Sequence, residues 1–290
     1  MPPQRSSRLR ASEVAADTKR NFIPLIKNYS DFFSPYSFLY PQPILQCTIQ
    51  RRKPTTRPPL FKIEVGDPVM KALAYAAMDT QQNSPESNNY PIPPLGGILS
   101  DTVVVYRGPN DRYDRLGRWF DLPVVSIPPT RRPKLKDNGL KYSFTEEREM
   151  TRDKLRGALR ICLYNGYDRV VIGDFGLGNG HRNPPQELAE LWRDVFLFDP
   201  DLRGQFAYVA FVFEDPQQST IRHIVDEIAK KENGSGGKSR SGFLNSFSTD
   251  QSHADIPTDR QIFEQVFDPA VVDRILRQPD PRYGLDMITT

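Results

Sequence analysis

Apolar residues return at helical spacing in several stretches of this chain, with short uninterrupted apolar runs between them. Met150, Leu155, Ala158, Leu159, Cys162 and Leu163 share one helical stripe. That helix opens on the capping-box pattern Ser143-Phe-Thr-Glu146 and stops at Asn165-Gly166. Residues 169–172 then read as a strand. Leu188, Leu191, Trp192, Val195 and Phe196 predict a second amphipathic helix, 206–213 an eight-residue apolar strand, and Ile221, Ile224, Val225 and Ile228 a further helix. This order predicts parallel strands with helices on both faces, an α/β/α sandwich. Residues 169–172 and 206–213 are expected to be buried neighbours joined by one crossover helix.

The N-terminal half is less regular. Val14, Ala15, Thr18, Phe22 and Ile26 give helical spacing over 12–26. Residues 28–60 are rich in proline and aromatics, with a strand candidate at 44–49, and 61–65 is a second. Asp67-Pro68 starts a helix through Met78, with Asp67 as N-cap and Pro68 at the first helical position. Residues 79–97 read as loop, and 102–106 and 123–127 as β-branched strands of a sheet covered on both faces. Residues 231–253 have linker composition. Phe263, Val266, Phe267, Val271, Val272, Ile275 and Leu276 give one or two tail helices, interrupted near Pro269. The organisation read from this is an N-terminal extension over 1–60, a domain over 61–231, a linker over 232–258 and a helical tail over 259–290.

Composition changes little in that picture. The 290 residues are 38% hydrophobic and 26% charged, ordinary for a globular protein of one moderate domain with polar flanks. The 27 prolines predict long irregular segments. Cys47 and Cys162, both in apolar settings, read as reduced core residues. With no signal-like run and no stretch of membrane-spanning length, a cytoplasmic or nuclear location is expected. Charge is uneven: residues 1–62 hold 11 Lys or Arg against 3 acids, and the rest of the chain 28 against 33. The basic arm is either a solubilising extension or a weak contact for an acidic partner.

The candidate chemistry lies after residues 169–172. Gly173-Asp174-Phe175-Gly176-Leu177-Gly178-Asn179-Gly180-His181 is a glycine-rich loop, and Asn183-Pro-Pro-Gln186 reads as a helix start with Asn183 as N-cap. Glycines let backbone N–H groups approach a ligand closely, and a helix start adds unpaired donors, so strand, loop and helix together suit a phosphate. The same pattern also suits a tight turn with no ligand. His181 stands three positions after Gly178, and no Lys-Ser or Lys-Thr follows, so neither a dinucleotide fingerprint nor a P-loop is present.

Several pieces of the chain, in order, carry a resemblance. They are Arg10-Ala-Ser-Glu-Val-Ala-Ala-Asp-Thr18, Val65-Gly-Asp-Pro-Val-Met-Lys-Ala-Leu73, Tyr90-Pro-Ile-Pro93 with Gly97-Ile-Leu-Ser100 and Val103-Val-Val-Tyr-Arg107, Pro123-Val-Val-Ser126 with Arg132-Pro-Lys134, and Leu159-Arg-Ile-Cys-Leu-Tyr-Asn-Gly166 through Asn183-Pro-Pro185. In these the chain resembles the microbial-type poly(ADP-ribose) glycohydrolase family, a macrodomain family with many fungal members. The resemblance implies a three-layer α/β/α macrodomain-like sandwich with a mixed, mostly parallel sheet. It implies ADP-ribose or an ADP-ribosylated protein as ligand. It places diphosphate and ribose contacts at Gly173, Asp174, Phe175, Gly176, Leu177, Gly178, Asn179, Gly180, His181 and Asn183, and implies no metal and no cofactor.

The departures bear on chemistry. Family members carry a glycine triplet followed by Gln-Glu-Glu, a loop that holds ADP-ribose and supplies the acid. Its place here is 79–89, Asp-Thr-Gln-Gln-Asn-Ser-Pro-Glu-Ser-Asn-Asn, with no glycine and no acid pair; Glu86 reads as a solvated loop acid. Breaking a ribosyl C–O bond requires a carboxyl to protonate the leaving oxygen. In the second loop, Asp174 replaces an Ala, Leu177 a Cys, and Asn179-Gly180-His181 surrounds the place of a Phe. Asp174 opposes a diphosphate unless it faces away, and His181 either stacks in place of the Phe or is solvated. The expectation is an ADP-ribose-binding, catalytically impaired relative, a pseudoenzyme with no catalytic residue assigned. The alternatives are a divergent hydrolase using a carboxylate such as Asp174, or an interaction module without a ligand.

Overall fold

The computed structural model describes residues 11–28, 37–45, 57–76, 91–108, 114–234 and 256–277. In chain order these form α1 (Ala11–Asp17), a π-helical turn (Thr18–Phe22), α2 (Ile23–Asn28), β1 (Ser37–Tyr40), β2 (Leu60–Val65), α3 (Pro68–Ala76), β3 (Gly97–Arg107) and β4 (Arg115–Ser126). There follow β5 (Leu135–Lys136), β6 (Lys141–Tyr142), α4 (Thr145–Tyr164), β7 (Arg169–Ile172), α5 (Gly178–His181), α6 (Pro185–Phe198), β8 (Tyr208–Phe213), α7 (Thr220–Gly234), α8 (Asp259–Val266) and α9 (Pro269–Arg277). The chain divides into two compact units, one of Met1–Ile49, Gly66–Pro128 and Gly157–Tyr167, the other of Gln50–Val65, Pro129–Arg156 and Asp168–Thr290.

The second unit is built on a three-stranded parallel ladder in the order β2-β8-β7. The expected neighbours pair, Val170 with Val209 and Ile172 with Phe211, and α6 lies between the two strands in sequence, but β7 is not buried as expected: it ends the ladder, with Arg169 exposed and Val170 to Ile172 half-buried. From Val209 to Phe213 every residue of β8 is buried, so both faces of this central strand are covered. On one face Phe211 meets Trp192 of α6 at 5.9 Å and Phe263 of α8 at 5.1 Å between ring centroids. Phe61 of β2 bridges Phe196 and Phe267 at 5.7 and 4.7 Å. Each such pair contributes about 1 kcal/mol beyond its buried area. The segment read as a tail thus places its first helix in this core, with Phe263 2% exposed.

The first unit holds an antiparallel ladder, β1-β3-β4, in which Leu99 pairs with Phe38 and Val125. The expected strands 102–106 and 123–127 lie in this ladder, which is longer than expected because 97–101 and 115–122 extend it in spite of polar residues. Strand β1 was not anticipated within the proline- and aromatic-rich stretch. Helix α1, the π turn and α2 cover the expected 12–26; the Thr18 hydroxyl donates to the Val14 carbonyl at 2.8 Å, a back-bond that widens a helical turn. Phe22 stacks on Tyr106 at 3.9 Å.

Two expected helix ends form as read, one at each terminus. Asp67 accepts from the Met70 amide at 2.8 Å at the start of α3. Helix α4 ends where Gly166 takes φ +85, with Gly166 N bonded to Leu163 O at 3.0 Å and Tyr167 N to Cys162 O at 2.9 Å, a Schellman end. Residues 46–49 of the 44–49 strand candidate, the 79–89 loop, Cys47, most of the linker and part of the basic arm lie outside the described residues, and residues 44 and 45 are not strand. Among the described residues no helix is long and apolar enough to cross a membrane.

Candidate functional site

The glycine loop leaves the carboxyl end of β7, where ligands gather in parallel α/β sheets. Phe175 N bonds to Gly173 O at 2.7 Å and Leu177 N to Asp174 O at 3.1 Å, which coils 173–177 into tight turns. Gly176 and Gly178 sit at φ +76 and +70, a region costly for residues with a Cβ. One turn of helix, α5, follows, and Arg182 at φ +56 reverses the chain toward α6. The amides of Gly176, Asn179 and Gly180 take no partner among the described residues, whereas the Gly178 amide donates to the Thr220 hydroxyl at 2.7 Å.

Residues 173–177 line an open pocket of about 450 Å³ together with Pro129 and His181. Within this loop Gly176, Leu177 and Gly178 are buried, Asp174, Asn179 and Gly180 are exposed, and His181 is half-buried. The Phe175 ring packs edge-on against Trp192 of α6, at 6.1 Å, and so acts as a core contact. The Asp174 carboxylate lies 3.5 Å from Gln218 Nε2.

Asn183 is not the N-cap. Helix α6 begins at Pro185 with Pro184 in the cap position and no side-chain cap, and Gln186 reaches forward to Glu190 rather than back. Pro184 and Pro185 carry no N–H, so the end of α6 offers fewer donors than the sequence pattern suggested. Asn183 is instead a brace beneath the loop, 1% exposed. Its Nδ2 donates to the carbonyls of Thr130 and Gly176, both at 2.8 Å, and its Oδ1 accepts from the Tyr142 hydroxyl at 2.9 Å.

Positive charge reaches the loop from residues the sequence reading gave no such role. Arg132 N donates to His181 O at 2.6 Å, and its guanidinium lies 3.4 Å from Asn179 O. Arg182 bonds Asn179 O at 3.1 Å and pairs with Glu227; burial, then the charge of Arg132, holds its pKa below the ordinary arginine value. Gln218, Thr220 and Asp259 were also missed. The pattern Thr258-x-x-Gln261 would have located α8, whose capping box it forms. Nothing in sequence spacing announces that Asp259 approaches a loop eighty residues away. Among the described residues no cluster of three or more His, Cys, Asp or Glu is arranged to hold a metal ion.

No family model matches the chain, and no curated protein matches it in sequence. Solved structures do. The poly(ADP-ribose) glycohydrolase of Thermomonospora curvata is similar over 66% of this chain and 85% of that one, at 17% identity and a TM-score of 0.50. The poly(ADP-ribose) glycohydrolase of Deinococcus radiodurans, in apo form, covers 77% of this chain and 98% of its own, at 16% identity and a TM-score of 0.45. The first likeness shows the fold: this chain has a poly(ADP-ribose) glycohydrolase-like α/β architecture.

Proposed function

We propose that this protein binds ADP-ribose, free or on an ADP-ribosylated protein, through the loop of residues 173–181, and that its glycohydrolase chemistry is impaired. The carrying observation is the set of amides at Gly176, Asn179 and Gly180 with no partner among the described residues, at the carboxyl end of a parallel strand, beside an open pocket and two arginines. Such donors suit a diphosphate, and the glycohydrolase-like fold supports the reading. Impairment rests on residues 79–89, which lack the acid pair that ribosyl cleavage calls for.

Calorimetric titration with ADP-ribose tests the binding. We expect a dissociation constant on the order of 10–100 μM, because half of the family's two-loop clamp is missing. Gly180→Glu is the informative variant: a Cβ there meets nothing within 4 Å, so a carboxylate can repel the anion without disturbing the fold. Binding should be lost in Gly180→Glu and strengthened in Asp174→Ala. No binding by the wild type at millimolar ligand overturns the proposal. A second reading is favoured by one observation, that Asp174 lines the pocket with an exposed carboxylate. A divergent hydrolase would release ADP-ribose from an ADP-ribosylated protein and lose that activity in Asp174→Asn.

A further inference from the structure

The loop's central amide is committed inside the protein. Gly178 N–H donates to Thr220 Oγ1 at 2.7 Å. The Thr220 hydroxyl donates in turn to Asp259 Oδ2 at 2.7 Å, and the Thr220 amide to Asp259 Oδ1 at 2.8 Å. Gln218 Nε2 donates to Asp259 Oδ2 at 3.0 Å while reaching toward Asp174, and Asp259 N closes the circuit on Gln218 O at 2.9 Å. Ser219 adds a bond to Pro257 O at 2.9 Å. Thr220 and Asp259 are both fully buried.

Every donor that these contacts aim at the Asp259 carboxylate is neutral. A buried carboxylate so surrounded is costly. What the carboxylate achieves that an apolar residue would not is direction. It orients the Thr220 hydroxyl so that its lone pair faces Gly178, the residue at φ +70 that opens α5. The orientation of that peptide fixes where the next amides, Asn179 and Gly180, point.

We propose that Thr220 and Asp259 are positioning residues of the glycine loop, and that docking of α8 is part of assembling the ligand site. The ligand half of this inference rests on the function proposed above; the loop half does not. A helix late in the chain, beyond α7, is then a structural component of a site formed by residues 173–181, and whatever displaces α8 unlocks that site.

Two measurements on the full chain decide it: amide hydrogen exchange resolved at Gly178–Gly180, and ADP-ribose titration. Thr220→Val keeps the shape and removes the hydroxyl; Thr220→Ser keeps the hydroxyl; Asp259→Asn keeps the volume and weakens the acceptor. We expect exchange at Gly178 to rise at least about tenfold in Thr220→Val and Asp259→Asn and to return to near wild type in Thr220→Ser. Affinity for ADP-ribose should fall at least about threefold in Thr220→Val and recover in Thr220→Ser. A role in stability alone would lower the melting temperature and leave loop-specific exchange and affinity in the folded variant unchanged. Unchanged protection of Gly178 in Thr220→Val overturns the inference, as does unchanged affinity. If the wild type takes no ADP-ribose, the proposed function falls and exchange at Gly178 alone decides.

Discussion

The Tyr142 hydroxyl donates to Asn183 Oδ1 at 2.9 Å, beneath a loop whose turns Asn183 ties together from below. Three hydrogen-bonding valences of one side chain are used inside the core. Tyr142→Phe leaves Oδ1 without a donor and should cost about 1–2 kcal/mol. Asn183→Leu strips donors from two carbonyls and should cost about 3 kcal/mol. The double variant should cost less than the sum, because the two side chains share one bond. Urea denaturation of the four proteins checks this; additive losses would contradict it.

The glycines of the loop are not equivalent. A Cβ on Gly176 would sit 3.0 Å from Asn183 Nδ2, and one on Gly178 3.1 Å from Gln218 Oε1, each at positive φ. Gly176→Ala and Gly178→Ala should each cost about 1–3 kcal/mol, or roughly 2–10 °C in melting temperature. Gly180→Ala should fall within about 0.5 kcal/mol of wild type. Thermal melts of the three variants provide the test, and a Gly180→Ala loss as large as the others would refute the distinction.

Asp259 gives a pH dependence of defined sign. Burial pushes its carboxyl above the ordinary aspartate value; the bonds from Thr220 and Gln218 pull it down, and burial prevails. An acid with a higher pKa folded than unfolded takes up a proton on folding within the window between the two values. Stability of the wild type relative to Asp259→Asn should therefore fall as pH rises from about 4 through that window, then level off. Urea midpoints of both proteins between pH 4 and 8 measure it; a relative stability that rises with pH would be the wrong sign.

Cys162 on α4 is buried, and burial pushes its thiol up to about 12. At pH 8 only about one thiol in 10⁴ is ionised, so native alkylation should be far slower than in urea. Peptide mass spectrometry after iodoacetamide treatment reads this directly.

Much of the parallel unit was legible because its signals are local. Leu188 to Phe196 repeat at helical spacing, residues 206–213 are continuously apolar, and Gly166 marks a helix end by its missing Cβ. Polar residues concealed the length of β3 and β4, since 97–101 and 115–122 are strand by virtue of their partners rather than their own pattern. At the site, the glycines were found and the brace was misread. Asn183 before two prolines looks like a cap, but its buried position hands its amide to Thr130 and Gly176. The Thr220–Asp259 support was invisible because its members meet only after folding.

The ladder order β2-β8-β7 has a consequence for how the chain comes to be. Phe61 pairs with Val209 and its ring meets that of Phe267 at a tilt, so β2 leaves the ribosome some 150 residues before its strand partner exists. At ordinary synthesis rates that is a wait of about 10–30 s. Leu60, Phe61, Ile63 and Val65 spend it as an apolar edge interrupted by Lys62 and Glu64, the kind of charge that discourages pairing with a stranger. Contacts this distant in sequence also predict slow closure from the denatured state, with β2 among the last elements to dock.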